Sequence, residues 1–339
     1  MPVLVTGSTG HIGNNLCKAL LEENRTVRAM IRSTSNTEPI RDLGVDTVEA
    51  NLLVEESLAE AMQGCDVIYH TAAVYKTSAV NPEIEIIKPA VEGTRNVMAA
   101  AKERGIRKII YASSVAAIGG GNSFDHSLDE SHWNTDPESP YYVAKARAEQ
   151  LAHQLAEEYE LNVVFVLPGL VLGPRDYRIT PSNGLVRDFL NGKIPFSYDS
   201  AFTVTDVRDV VNGMLLAEKH GLPGERYILG GTQITIDDLF HQIAEMSTRS
   251  APAIKVNANT AKVLAYPTKW LAGFLHSEPL LTPEFVQDNF GKFLNFSSAK
   301  AEKDLGYSYR PLLRILEDTI NWLIERDEVP EDVRVVENA

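Results

Sequence analysis

The chain has 339 residues, 44% of them hydrophobic and 23% charged, enough to bury one large core or two modest ones. A formal net charge of −14 argues against a general nucleic-acid binder, which needs a basic surface. Cys17 and Cys65, the two cysteines, sit in apolar contexts without metal-ligand spacing, so neither a disulfide nor a metal site is expected. With no leader-like segment before the first strand and no apolar run near the ~18 residues of a membrane span, the expected compartment is the cytoplasm, with no membrane partner.

In chain order, the first element is a short apolar β-branched strand at residues 3–6, the opening of VLVTGSTGHIG. A helix pattern follows from His11, so Gly7, Gly10 and Gly13 fall in a strand-to-helix turn together with Ser8, Thr9, His11 and Ile12. A helix N-terminus exposes unpaired N–H groups and a positive dipole end, and glycine lets the backbone approach a ligand closely. That turn suits a phosphate.

Further strands are expected at residues 26–31, 47–50, 67–70, 108–112 and 163–167. The clearest helices are 84–104 and 141–159. Strands alternating with helices predict an α/β fold, a doubly wound parallel sheet of the Rossmann kind with ligands outside the carboxyl ends of the strands. After Leu167 the alternation stops. Short strands at 202–205 and 227–229 and a helix at 236–246 suggest a smaller mixed α/β substrate lobe. The expected division is a dinucleotide-binding domain over 1–168, rejoined by 202–231, a substrate lobe from 169–201 and 232–330, and a frayed acidic tail over 331–339. The long loop 119–140 is rich in Gly, Ser, Asp and Asn, and a loop of that length suggests function.

A pyrophosphate site at the first turn implies a dinucleotide, and the end of the second strand then reports on the adenosine ribose. An acid there would bind the 2′-hydroxyl of NAD, and a cation the 2′-phosphate of NADP. The sequence reads TVRAMIRSTSN, with Arg32 at that place and hydroxyls at Ser33, Thr34 and Ser35. The expected cofactor is therefore NADP(H). Asn51 and Leu52 follow the third strand near the adenine. Thr71, Ala72 and Ala73 follow the fourth, where small residues admit close packing on the nicotinamide side. His70 reads as a packed strand-end residue.

The fifth strand ends in YASSVAAIG, and the helix after the loop begins PYYVAKARAEQLA. Tyr141 and Lys145 are four apart and share a helix face. A lysine ammonium beside a phenol favours the phenolate and makes it a better acid–base group near neutrality. Ser113 and Ser114, at the strand end, can hold a carbonyl oxygen.

TGSTGHIG, the paired serines and Tyr141-x-x-x-Lys145 together resemble an extended short-chain dehydrogenase/reductase, over nearly the whole chain. The resemblance implies that Gly7, Gly10 and Gly13 line the pyrophosphate, that Tyr141 donates a proton and that Lys145 supports it on the ribose. Ser114 aligns with the family's serine, counting back from Gly119, with Ser113 as the fallback. Dehydratases of this family carry Asp-Glu after that serine, where this chain has Val115, Ala116 and Ala117. Epimerases carry Asn-Val-x-Gly-Thr, where this chain has IIKPAVEGTRNV and places Ala90 at the asparagine.

That stretch, with LDESHW at residues 128–133 and LPGLVLGP at 167–174, is similar to dihydroflavonol and cinnamoyl-CoA reductases. The last segment puts Pro168, Gly169 and Val171 beside the cofactor. The implied function is NADPH-dependent reduction of a small apolar or aromatic aldehyde or ketone. Val74, Tyr75, Ser114, Ala116, Tyr177 and Phe202 are expected around the substrate, with Ile118 and Phe189 as further apolar candidates. Arg175, Arg178 and Arg187 leave room for a phosphate. A nucleotide-sugar epimerase and a non-catalytic NADP sensor are the alternatives, and the chain is expected to be a monomer or a homodimer.

Overall fold

The computed structural model describes residues 1–73, 79–121, 123–263, 265, 286, 289–330 and 332–333. Val74 and Tyr75 lie outside the described residues. Strand β1 (Val3–Thr6) runs into helix α1 (His11–Glu22), followed by β2 (Val27–Ile31), β3 (Asp46–Glu49), α2 (Glu55–Met62) and β4 (Val67–His70). The pattern continues with α3 (Lys88–Glu103), β5 (Lys108–Ala112), α4 (Pro140–Glu158) and β6 (Val163–Pro168). Beyond it lie β7 (Leu170–Leu172), α5 (Pro181–Leu190), β8 (Ser197–Tyr198), β9 (Ala201–Asp206), α6 (Val207–His220) and β10 (Arg226–Leu229). The described residues close with β11 (Thr232–Thr235), α7 (Ile236–Glu245), β12 (Lys255–Val256), β13 (Phe293–Leu294), α8 (Ala299–Leu305) and α9 (Leu312–Glu325).

Seven strands form one parallel sheet in the order β10-β6-β5-β4-β1-β2-β3. The order reverses between β1 and β4, so a crevice opens there beyond the carboxyl ends of the strands. Burial on both faces explains why the strands read as continuous apolar runs: Val3, Leu4 and Val5 are all fully buried. Leu16, Leu20, Val210 and Met214 cover one face from α1 and α6. Leu58, Met98 and Leu155 cover the other from α2, α3 and α4. Both cysteines are free and buried, and burial pushes the Cys17 thiol up to about 12.

The helix expected over 84–104 is divided. Pro89 cannot donate to the carbonyl four residues earlier and its ring crowds that turn, so Glu83–Ile87 forms a π turn before α3.

A second sheet joins β7, β11 and β13 to β9, and its core holds Leu172, Phe202, Val204, Phe240, Ile315 and Ile320. Residues 202–231 therefore do not return to the parallel sheet as one piece. β10 forms that sheet's outer strand and α6 packs on it, while β9 belongs to the second sheet because its apolar residues face α7 and α9. Conversely, Ala301, Leu305 and Tyr307 pack on the parallel sheet, although they fall within 232–330. The start of the expected tail is also anchored. Val329 and Val333 are buried in the second core and the Asp332 carbonyl accepts from Thr248 Oγ1 at 3.1 Å. Two valines at spacing four bury one face of this segment; residues 331 and 334–339 lie outside the described residues.

Candidate active site

The glycine turn closes on itself and on the end of β4. Gly7 has φ +69°, and a Cβ there would stand 2.7 Å from Ala72 Cα. A Cβ on Gly13 would stand 2.1 Å from the Gly7 carbonyl oxygen, so α1 can approach the turn only with glycine there. Thr6 ties the two strand ends together. Its hydroxyl bonds His70 Nδ1 at 2.9 Å and accepts from the Ala72 N–H at 3.3 Å, while Thr71 Oγ1 donates to the Thr6 carbonyl at 2.7 Å. His70 is a buried strand-end residue, its pKa pushed down to about 3 by desolvation and by the Lys145 charge.

Helix α1 begins at Gly10 with no side-chain cap and no acidic residue in its first turn. Its first turn lines a cleft of about 720 Å³, and this uncapped helix end, drawn close to the turn because Gly7 and Gly13 carry no Cβ, fits a dinucleotide pyrophosphate. Gly7, Thr9, Gly10, His11, Ile12 and Gly13 all line the cleft. Ser8 does not: it is fully buried and donates to the Met30 carbonyl at 2.8 Å, which braces the turn against β2. The His11 ring also turns away, with Nε2 3.1 Å from the Pro174 carbonyl, and burial lowers its pKa.

At the end of the cleft beyond β2, where the sequence places the adenosine, Arg32 lines it with Ser35, Asn51 and Leu52. Arg32 is exposed, and its backbone N–H donates to Ser35 Oγ at 3.0 Å, which shapes the loop after β2. Glu38, the first carboxylate beyond that loop, is engaged by Arg326 at 2.9 Å, and this contact lowers its pKa. Leu52 is seated by α3, where a Cβ on Gly93 would come within 3.3 Å of its side chain.

At the other end, Thr71, Ala72, Ala73, Ser113, Ser114, Tyr141, Lys145, Pro168, Gly169 and Val171 line the same cleft. The two serines differ. Ser113 is buried and its hydroxyl donates to the Glu149 carboxylate. Ser114 is half-buried and its hydroxyl accepts from the Ala116 N–H at 3.2 Å, leaving its own proton for the cleft. Burial pushes the Lys145 ammonium down to about 8, against the pull of Glu149. A smaller cavity of about 30 Å³ behind Tyr141 and Lys145 is bounded by His70, Ala90, Thr94 and Tyr111.

The second lobe closes the cleft with residues 176–182, among them Tyr177, whose ring meets Trp322 edge-on at 5.2 Å. Ala116, Ile118, Phe189 and Phe202 are buried in cores and are not among the cleft-lining residues. Ala116 is enclosed in the turn that Ser114 caps, Ile118 packs with the parallel sheet, Phe189 stacks on Phe240, and Phe202 faces inward from β9. Apolar composition alone could not separate these from Tyr177. Among the lining residues that the sequence does not single out for the glycine-turn side of the cleft are Asp176, whose carboxylate accepts from Thr180 N and Oγ1 at 2.7 and 2.6 Å, and Arg178, 3.2 Å from the Thr9 hydroxyl. The signal for Arg178 was the arginine cluster after β7. No described residue of loop 119–139 lines the cleft. LDESHW instead fastens the loop to β10, with Glu130 Oε1 accepting from Ile228 N at 2.8 Å.

Comparison with known proteins agrees with this geometry. The profile of the NAD dependent epimerase/dehydratase family matches residues 3–230. A putative dihydroflavonol 4-reductase of Synechocystis is 31% identical over 94% of this chain and 93% of its own. Cinnamoyl-CoA reductase 1 of Petunia hybrida is 28% identical over 97% of this chain and 93% of its own. The crystal structure of gox2253 superposes with a TM-score of 0.86 at 35% identity, covering 97% of this chain and 99% of that one. The chain therefore belongs to the NAD dependent epimerase/dehydratase family, and within it resembles the dihydroflavonol and cinnamoyl-CoA reductases.

Proposed function

We propose that this protein reduces an aldehyde or ketone to an alcohol with NADPH. The observation that carries the reading is the joining, in one cleft, of the glycine turn, Arg32, Ser114, Tyr141 and Lys145. Gly7, Gly10 and Gly13 with the first turn of α1 would hold the pyrophosphate, and Arg32 with Ser35 the 2′-phosphate. The nicotinamide, when bound, supplies a hydride. Ser114 donates its hydroxyl proton in a hydrogen bond to the substrate carbonyl oxygen and fixes its orientation. Tyr141 gives its proton to that oxygen as charge develops. Lys145 stays beside it as a cation and stabilises the phenolate left behind.

Ala90 supports reduction over nucleotide-sugar epimerisation. It borders the small cavity behind Tyr141 and Lys145 where the resembling epimerases place an asparagine, and its methyl group can carry no proton. The proposed substrate is small and largely apolar, entering beside Tyr177.

The test is NADPH absorbance against a panel of aromatic and aliphatic carbonyls, with Tyr141→Phe beside the unaltered chain. Stoichiometric NADPH loss is expected, with kcat lowered about 10²- to 10⁴-fold in the variant. Turnover of a nucleotide sugar without net NADPH loss would establish the epimerase instead, and dinucleotide binding without any turnover the sensor.

A further inference from the structure

Helix α4 carries a carboxylate that the mechanism above leaves unused. Glu149 lies one turn beyond Lys145 and is fully buried. One of its oxygens accepts from the Ser113 hydroxyl, and the other accepts from Arg226 Nε at 2.7 Å. Arg226 is held in turn. Its Nη1 donates to the carbonyls of Glu130 and His132, each at 2.7 Å, and its guanidinium lies 3.8 Å over the Trp133 ring. The LDESHW loop and the outer strand β10 thus converge on one carboxylate behind the strand-end serines.

A buried ion pair contributes little stability over well-packed apolar side chains, because desolvation offsets its attraction. Packing alone therefore does not account for a charge placed at this depth. What the carboxylate does touch is Ser113, and Lys145 lies one turn back on the same helix, within reach of its field. We propose that Glu149 is a positioning residue for the carbonyl reduction inferred above, its carboxylate clamped by Arg226 so that it holds the Lys145 ammonium and the Ser113–Ser114 strand end in their working arrangement.

The electrostatics agree with this placement. Burial pushes Lys145 down to about 8 and Glu149 opposes that fall. The other groups facing the pair cannot replace its charge. His70 on β4 is held neutral by burial, its pKa pushed down to about 3. Tyr111 on β5 shares its hydroxyl with Thr94 of α3 at 2.8 Å, and burial raises its pKa above the usual range. Tyr141 and His153 share α4 with Glu149, with His153 Nε2 at 3.8 Å from the carboxylate, and Arg226 reaches in from β10. Loss of the Glu149 charge removes the field that opposes desolvation and lets the Lys145 ammonium deprotonate at lower pH.

The experiment follows Lys145 directly in the full chain with lysine ¹³C-labelled at Cε. Its resonance is assigned by Lys145→Arg and titrated in the unaltered chain and in Glu149→Gln. The pH profile of kcat/KM with NADPH and a reducible carbonyl is read in parallel. The Lys145 midpoint, and with it the alkaline limb of kcat/KM, is expected to move down by about one pH unit. Arg226→Lys, which keeps the carboxylate charged, is expected to leave both in place. If Glu149→Gln does not fold, Glu149→Gln with Arg226→Met removes both buried charges and carries the same reading. An unmoved Lys145 midpoint in a folded variant, whatever the loss of stability, would overturn the assignment. A moved midpoint in a chain that oxidises no NADPH would uphold the positioning role and reject the reductase reading.

Discussion

Arg32 stands at the end of β2, exposed to the cleft, and the next carboxylate along the chain is already engaged by Arg326. On the proposed reading a guanidinium so placed would meet a 2′-phosphate with charge-assisted hydrogen bonds worth about 1.5–3 kcal/mol. Arg32→Ala is therefore expected to weaken NADPH binding roughly 10- to 100-fold and NADH binding little, measured by quenching of protein fluorescence. Equal losses for both dinucleotides would reject the NADP preference. The place of Arg32 at the cleft is legible in the sequence because it follows directly from the end of β2. The serine pair was less so. Spacing pointed to Ser114, but only the buried Glu149 carboxylate, 36 residues along the chain from Ser113, shows which hydroxyl is already taken. An acid within the alanine-rich first half of α4, four residues beyond Lys145 and on the same helix face, is the available signal for Glu149.

At the scale of elements, the strand–turn–helix unit from Val3 to Glu22 is the part the rest depends on. Its strand is short and β-branched, its turn requires glycine twice, and its helix presents an uncapped N-terminus. Gly13→Ala would drive a methyl carbon into the Gly7 carbonyl oxygen. The expected result is a lower Tm and loss of the thermal shift that saturating dinucleotide gives, about 2.7 kcal/mol at 100 times Kd. A preserved shift would show that the turn does not hold the ligand. Elements of this kind were legible because hydrophobic period and glycine spacing are local properties. The division of the helix before α3 was less visible, since Pro89 lies inside an otherwise helical pattern and its effect depends on the turn preceding it.

At the scale of the molecule, a parallel sheet is joined to a lobe whose second sheet brings together strands far apart in sequence, β7, β9, β11 and β13. Such pairing leaves no periodic trace. The sequence pattern therefore assigns β9 and α8 to the opposite layers, and Phe202 to the cleft rather than the core. The second lobe lines the cleft through one short segment, residues 176–182, in which Tyr177, Ile179 and Pro181 alternate with polar side chains.

Stability should also carry a pH signature of the whole fold. His11 and His70 are buried and neutral when folded, with pKa values below the usual 6.5. Unfolding lets both take up protons once the pH falls below about 6.5, so acid favours the unfolded chain down to the folded pKa, about 3 for His70. Denaturant unfolding is expected to give a lower free energy at pH 5 than at pH 7, with a smaller difference in His70→Gln. An unchanged difference in that variant would remove His70 from the account.

Transfer of hydride to a carbonyl carbon is read most directly by isotope transfer. NADPH deuterated at the transferring position is incubated with a carbonyl substrate and the alcohol is analysed by mass spectrometry and NMR. One deuterium on the new carbinol carbon, matched by one equivalent of NADP formed and absent with Tyr141→Phe, is the result predicted. Label retained in the dinucleotide while a nucleotide sugar changes configuration would contradict it.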